Sequence, residues 1–394
     1  MTIPAEPGPT GTTIQCTTAP DLKITAVEPF LLHVPVTGDH ITDSMHSVTH
    51  WGLAGVILRT DGGLSGYGYT GTHAHLATDL LVTDCIARVY APLLLDESFH
   101  HVQALWKKLY HFPPSQWVGR AGITQLALAA VDIALWDLKA KAAGLPLWRM
   151  LGASAPGGIP AYNTDGGWLN LSQQQLIDNC RRFVEEDGFR GVKIKVGSPN
   201  PRKDIERVEA VRRAVGSDVR LMVDANGRCD LPGAIELGRH FDDLEVAWFE
   251  EPLWYDDVEG HQRLAQSIRT PIALGEQFYA IDAFTAFARA QAVHYFQPDA
   301  TRLGGVTEWW QVADLARAHR LPVAPHIGDM MQIHLQLALA HPSCVILEYI
   351  PWTRACFEEP ATVADGKFIP PVLPGAGTSL REDSMAKFGV SLVW

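Results

Sequence analysis

Eight short apolar runs, each followed by a stretch of chain long enough for a helix, fill the second part of the sequence and restrict its fold more than any other feature. They are IPAYNT (159–164), GVKIKV (191–196), VRLMVDA (219–225), VAWFEE (246–251), PIALGE (271–276), VHYFQPD (293–299), LPVAPH (321–326) and CVILEY (344–349). Segments such as LSQQQLIDNCRRFVEEDG and PGAIELGRHFDD stand between the runs and are long enough for one crossover helix each. Strands alternating with helices build a parallel sheet, and eight parallel strands close into a barrel. After Tyr349 come Pro351, Pro360, Pro370, Pro371 and Pro374, so no regular eighth helix is expected and the tail is expected to return to the first domain.

The first part of the chain has a different grammar. KITAVEPFLLHVPV, WGLAGVILRT and LSGYGYT read as three strands, the last two joined by the hairpin signal Asp61-Gly62-Gly63. AGITQLALAAVDIALWDLKAKAAG carries helical periodicity and is closed by Gly144-Leu145-Pro146. The expected fold class is therefore α/β: a modified (β/α)7β TIM barrel with an N-terminal α+β capping domain. The expected organisation is a loose tail at 1–20, the capping domain at 21–155, the catalytic barrel at 156–355, and a segment at 356–394 that returns to the cap.

Bulk properties exclude several functions. The 394 residues carry a formal charge of -12 with no lysine or arginine run, so neither nucleic acid nor an anionic membrane is an expected partner. The apolar stretch 123–138 is interrupted by Gln125, Asp132 and Asp137, which excludes an ordinary membrane span. Six scattered cysteines form no C-x-x-C pair, and residues 1–20 hold neither a basic start nor an apolar core, so a cytoplasmic location is expected.

In a barrel of parallel strands the carboxyl ends of the strands form one mouth, where catalytic groups gather. Lys193 and Lys195 stand two residues apart on one strand and point to the same side. If both face the axis, desolvation and like charge lower the pKa of at least one and make it a base; the alternative is a surface strand with two solvated lysines. Asp224, Glu250 and Glu276 end three consecutive strands one repeat apart. Three converging carboxylates need protons or a cation, and an all-oxygen set suits Mg2+; three separate salt bridges are the alternative. Asp299 and His326 end the sixth and seventh strands, so the carboxylate can accept an imidazole N–H and orient the ring. Glu348 completes the circle as a hydrogen-bonding acid or as a rim salt bridge. Glu251 is expected to point outward, by strand alternation.

KIKVG, LMVDAN, WFEEP, ALGEQ, QPDATRLGGVTEWW, APHIG and ILEYI together resemble the enolase superfamily in its mandelate racemase subgroup, and WDLKAKAAGLPLWRMLGA resembles the helix that closes that family's capping domain. The resemblance implies Asp224, Glu250 and Glu276 as ligands of Mg2+, Lys195 as a base on the second strand and Lys193 as its partner on the substrate carboxylate. It implies Asp299 and His326 as the opposing acid/base dyad and Glu348 as a hydrogen-bond donor to the enediolate oxygen. Thr164 lies near a position that touches the carboxylate. A homo-oligomer is also implied.

The shared chemistry is removal of the proton next to a carboxylate. Asp299 stands where epimerases of amino acids and dipeptides carry a lysine, and Asn226 where gluconate-type and mannonate dehydratases carry a histidine. KVGSPNPRKDIERVEAVRRAVG and DDVEGHQRLAQSIRTPIALGEQ resemble acid-sugar dehydratases of the talarate/galactarate type. The resemblance thus implies loss of the β-hydroxyl from a small acid-sugar substrate to give a 2-keto-3-deoxy acid. Racemisation, epimerisation or lactone cycloisomerisation of a hydroxy acid is the alternative, followed by a barrel that binds a sugar acid without turnover. Asn226 and His46 are expected to bind substrate, and His33, Asp39, His40, Ser44 and His50 are expected to join His46 in covering its hydroxyls.

Overall fold

The long strand β1 (Ile24–Pro35) carries its apolar side chains into the cap and is followed by a short hairpin, β2 (Ile41–Thr42) and β3 (Ser47–Val48). β4 (His50–Thr60) then pairs antiparallel with both β1 and β5 (Ser65–Thr70). In this computed structural model residues 21–72, 75–154, 157–328 and 331–392 are described, so the expected tail at 1–20 lies outside the described residues. The helix Ile123–Ala142 lies across the sheet, and β5 admits it closely because Gly68 has no side chain: a Cβ there would meet the Ala130 carbonyl oxygen at 1.9 Å. The helix ends where Gly144 takes a φ of 65°, as its sequence signal predicts.

The barrel strands follow in order: β6 (Ile159–Asn163), β7 (Gly191–Lys195), β8 (Arg220–Asp224), β9 (Trp248–Glu250), β10 (Ile272–Leu274), β11 (Tyr295–Phe296) and β12 (Leu347–Tyr349). Each pairs in parallel with the next from β6 to β11, and β12 pairs in parallel with β6. The seventh expected strand is reduced to Val323, which bridges Phe296 on one side and Cys344 on the other and so carries the ring between β11 and the run that leads into β12. Proline on each side of this short run, at Pro322 and Pro325, removes the N–H groups a longer ladder needs.

Among the described residues seven helices separate the barrel strands, and several starts are written in the sequence. Ser172 and Gln175 form a reciprocal capping box on Gln173–Glu185, while Asp230 and Asp257 cap Leu231–Asp243 and Val258–Ala265 through their side chains. Inside the barrel, Tyr162, Met222, Trp248, Ala273, Ala324 and Ile346 pack into a plug below the mouth. Truncating Trp248 there would cost about 3–5 kcal/mol. No helix among the described residues is long and apolar enough to cross a membrane.

After β12 the chain makes a 3-10 turn (Trp352–Cys356) and a hairpin, β13 (Val363–Ala364) and β14 (Lys367–Phe368), whose second strand pairs with the start of β6. It then runs back along the cap. The Ala376 N–H donates to Asp137, Thr378 Oγ1 to the Tyr67 carbonyl and the Val390 N–H to the Leu31 carbonyl. Cap and barrel also meet through Asp132, whose two oxygens accept the N–H (2.9 Å) and hydroxyl (2.7 Å) of Thr307.

Candidate active site

Lys193 and Lys195 both turn inward from β7 and are buried at its carboxyl end. Lys193 Nζ contacts Glu250 Oε1 and lies 2.9 Å from Glu348 Oε1 and 3.8 Å from Asp224 Oδ2. Lys195 Nζ donates to Asp224 Oδ2 and, at 3.1 Å, to Asn226 Oδ1. The expected drop in lysine pKa is not found. Burial pushes both down, but Glu250 and Glu348 around Lys193, and Asp224 beside Lys195, outweigh burial and raise both. The counter-charges come from other strands, β8, β9 and β12, which the tripeptide could not reveal.

The acids of β8, β9 and the turn after β10 converge: one oxygen each from Asp224, Glu250 and Glu276 lies within 4.8 Å of the others. Glu250 Oε2 accepts from Trp248 Nε1 (2.9 Å) and Gln297 Nε2 (2.7 Å), and burial, against the pull of Lys193, pushes its carboxyl up to about 7. Glu251 does not point outward. Its φ of 40° breaks the extended backbone on which alternation depends, and its buried carboxyl is pushed far up by burial and by Glu276, Asp224 and Glu250. The buried acids thus outnumber the two lysines, and the all-oxygen donor set fits a hard divalent cation such as Mg2+.

Across the mouth, His326 Nδ1 lies 2.8 Å from Asp299 Oδ2, and its Nε2 lies 3.4 Å from Glu276 Oε2. Burial disfavours the imidazolium, yet Glu276 and Asp299 bring the His326 pKa up to about 9. Asp299 is buried, which opposes its charge, but His334, 3.0 Å from Oδ1, and His326 hold the carboxyl well below its ordinary value. Glu348 forms the ion pair that was the alternative reading, with Lys193, and differs from the proton donor that the resemblance implies. Burial opposes its charge, but Lys193, His326 and the hydroxyl of Thr164, 2.6 Å away, bring its pKa down to about 2, so it stands as a carboxylate rather than a proton donor.

These groups open on one cavity of about 210 Å³ whose lining includes Thr164, Lys193, Lys195, Asn226, Glu276, His326 and Glu348. From the cap come Ile41, Asp43, His46, Val48, Trp51 and Thr72. Of the six polar cap residues expected to cover substrate, only His46 reaches the cavity. His33 faces Asp79 at 3.7 Å, and Ser44 Oγ donates to the Ala225 carbonyl at 2.7 Å. Sequence reasoning missed Trp248, which stands two residues before Glu250 on β9 and so shares its side, and Gln297, two residues before Asp299 in the segment that follows β11. It also missed His334, brought to Asp299 by a helix, and Arg302, Trp51, Trp168 and Trp352, which line the cavity.

Residues 26–152 match the mandelate racemase / muconate lactonizing enzyme N-terminal domain, and residues 175–384 match the enolase C-terminal domain-like family. The chain is 39% identical to the L-talarate/galactarate dehydratase of Salmonella typhimurium over 76% of this chain and 73% of that protein. It is 31% identical to the 3,6-anhydro-alpha-L-galactonate cycloisomerase of Streptomyces coelicolor, over 89% of this chain and 95% of that one. A crystal structure of a mutant L-talarate/galactarate dehydratase liganded with Mg and L-glucarate superposes with a TM-score of 0.88, at 31% identity, over 98% of this chain and 97% of the other.

Proposed function

This chain belongs to the mandelate racemase / muconate lactonizing enzyme family of the enolase superfamily, and from that premise we propose that it dehydrates a sugar acid to a 2-keto-3-deoxy acid. The observation that carries the reading is the juxtaposition at one cavity of an acid trio with Lys195 on the second barrel strand and the Asp299–His326 pair on the sixth and seventh. Strands β6 and β12 separate the two proton carriers on one side of the ring and β8 to β11 on the other, so they reach the cavity from different directions.

Asp224, Glu250 and Glu276 would hold Mg2+. When bound, the ion offsets the negative charge that gathers on the substrate carboxylate as its neighbouring proton leaves. Lys193 adds a fixed positive charge at the same oxygens. Burial and Lys193 act to release the proton of Lys195 against the pull of Asp224, Asp43 and Glu276; were Asp224 and Glu276 to hold the ion, that pull would weaken and Lys195 would serve as a base. Lys195 or His326 takes the C2 proton according to the configuration of that carbon. His326 as imidazolium gives its proton to the C3 hydroxyl, the C3–O bond breaks and water leaves. The resulting enol takes a proton at C3 and becomes the ketone.

The test is C2 exchange with solvent deuterium, together with semicarbazide detection of keto acid, across aldonic and aldaric acids in Mg2+. Exchange with keto-acid formation is the expected result. The cycloisomerase relative gives a second reading that shares the first proton transfer; exchange or ring closure without keto acid would select it. No exchange with any acid would remove both.

A further inference from the structure

Arg302 stands in the segment that follows β11 and lines the cavity, with 9% of its surface exposed. Its Nη1 donates to two neutral oxygens, Gln277 Oε1 and Tyr279 Oη, each at a long 3.3 Å. Its buried Nε has no acceptor, Nη2 makes no hydrogen bond, and no carboxylate lies within 4.0 Å of the guanidinium among the described residues. The nearest acids are engaged elsewhere: Asp299 with His326, His334 and Thr301, and Glu276 with His326 at 3.4 Å. Burial opposes the charge of Arg302, but Tyr279, Asp299, Glu276 and Glu251 raise its pKa, so it stays a cation. A guanidinium taken this far out of water without an anion beside it has lost more hydration than its contacts return, and a carboxylate in the cavity would restore the balance.

Arg302 is also set apart from the two lysines. From β7, which carries Lys193 and Lys195, the ring runs to β11 through β8, β9 and β10 on one side and through β6, β12 and Val323 on the other, so β7 and β11 are opposite each other. Gln277 stands between Arg302 and the acid trio: its Nε2 lies 3.2 Å from Glu276 Oε1, while its own Oε1 accepts from Arg302. Thr70 Oγ1 donates to the Thr301 carbonyl at 2.6 Å, which pins the end of β5 beside Arg302 and brings Thr72 of the cap into the lining. In the dehydration reading the carboxylate next to C2 belongs at Lys193 and the trio. A sugar acid that extends from there across the mouth brings its other end to Arg302, under the seam of cap and barrel.

We propose that Arg302 receives a second carboxylate, at the end of the substrate remote from C2, and that it thereby sets a preference for a dicarboxylic aldarate over the matching aldonate, whose terminal hydroxymethyl group brings the guanidinium no anion. This inference rests on the dehydration reading and narrows it to one class of acid.

The experiment compares kcat/KM for keto-acid formation on pairs of aldarate and aldonate matched in length and in configuration from C2 to C5. The aldarate is expected to lead by at least about tenfold. Arg302→Met, which keeps the length of the side chain and removes its charge, is expected to raise KM for the aldarate by about tenfold or more and so to collapse that ratio, in a protein whose thermal melt shows it folded. Should it not fold, Arg302→Lys, which keeps the charge without the planar fork, is the second variant and is expected to narrow the ratio through KM. An aldonate that matches or exceeds its partner in the unaltered enzyme overturns the inference and leaves dehydration standing. So does a folded variant that loses kcat/KM equally on both acids, since Arg302 would then serve the reacting end. Absence of keto acid from every acid overturns the dehydration reading itself, and this inference with it.

Discussion

Asp299 divides its two oxygens: Oδ2 lies 2.8 Å from the imidazole Nδ1 of His326, while Oδ1 takes the N–H and hydroxyl of Thr301 at 2.8 and 2.7 Å. Asparagine would keep the shape but lose the charge that favours the imidazolium. Asp299→Asn is expected to lower kcat by about 10²- to 10⁴-fold with little change in KM, measured by keto-acid formation. A kcat within a few-fold of the unaltered enzyme would mean that His326 does not carry the proton.

Lys195→Met should abolish turnover of substrates with one C2 configuration, by about 10³-fold or more, and spare those deprotonated from the His326 side. Because Lys195 donates to Asp224 Oδ2, its loss frees that oxygen, and Mg2+ affinity by titration calorimetry should hold or rise. Undiminished turnover of all substrates would exclude Lys195 as the base.

Withdrawal of divalent ions with a chelator should end turnover, and Mg2+ at about 100 times its dissociation constant should stabilise the fold by about 2.7 kcal/mol, read as a rise in melting temperature. Gln297 donates to Glu250 at 2.7 Å and so aims one arm of the trio. Gln297→Leu is expected to weaken Mg2+ binding by about tenfold, which the same melting curves would report. A melt insensitive to Mg2+ would refute the metal assignment.

The cap–barrel contact should respond to pH through Asp132, whose carboxyl burial pushes up to about 7 from an ordinary 3.8. Between those values the native protein keeps a proton the unfolded chain has lost. This contribution to stability therefore falls as pH rises through the window and is fully lost above it. Asparagine can accept the Thr307 N–H and donate to its hydroxyl, so it keeps the contact without the titration. The melting temperature of Asp132→Asn relative to the unaltered protein should increase between pH 5 and pH 8, and a difference that stays level would contradict a raised carboxyl.

The repeat of apolar runs made the barrel legible, because a parallel strand buried on both faces writes itself as a continuous hydrophobic stretch. The same repeat placed Asp224, Glu250 and Glu276 at one rim. Glu251 was misread because alternation holds only while the backbone stays extended, and at this strand end φ turns to 40°. The cap was harder to read: no periodicity announces that a hairpin at 41–48 presents Ile41 and Val48 to the cavity while His33 and Ser44 bond elsewhere. The charge states of Lys193 and Lys195 depend on acids from distant parts of the chain, so no local window contains them.

The hydroxyl of Ser44 grips the carbonyl of Ala225, the residue between Asp224 and Asn226. The loop that shapes the roof is thereby fastened to the peptide that seats Asp224, one acid of the trio. Anyone grafting a relative's roof loop onto this scaffold to change its diet must carry over a hydrogen-bond donor at position 44, or the exchange will loosen the floor along with the ceiling.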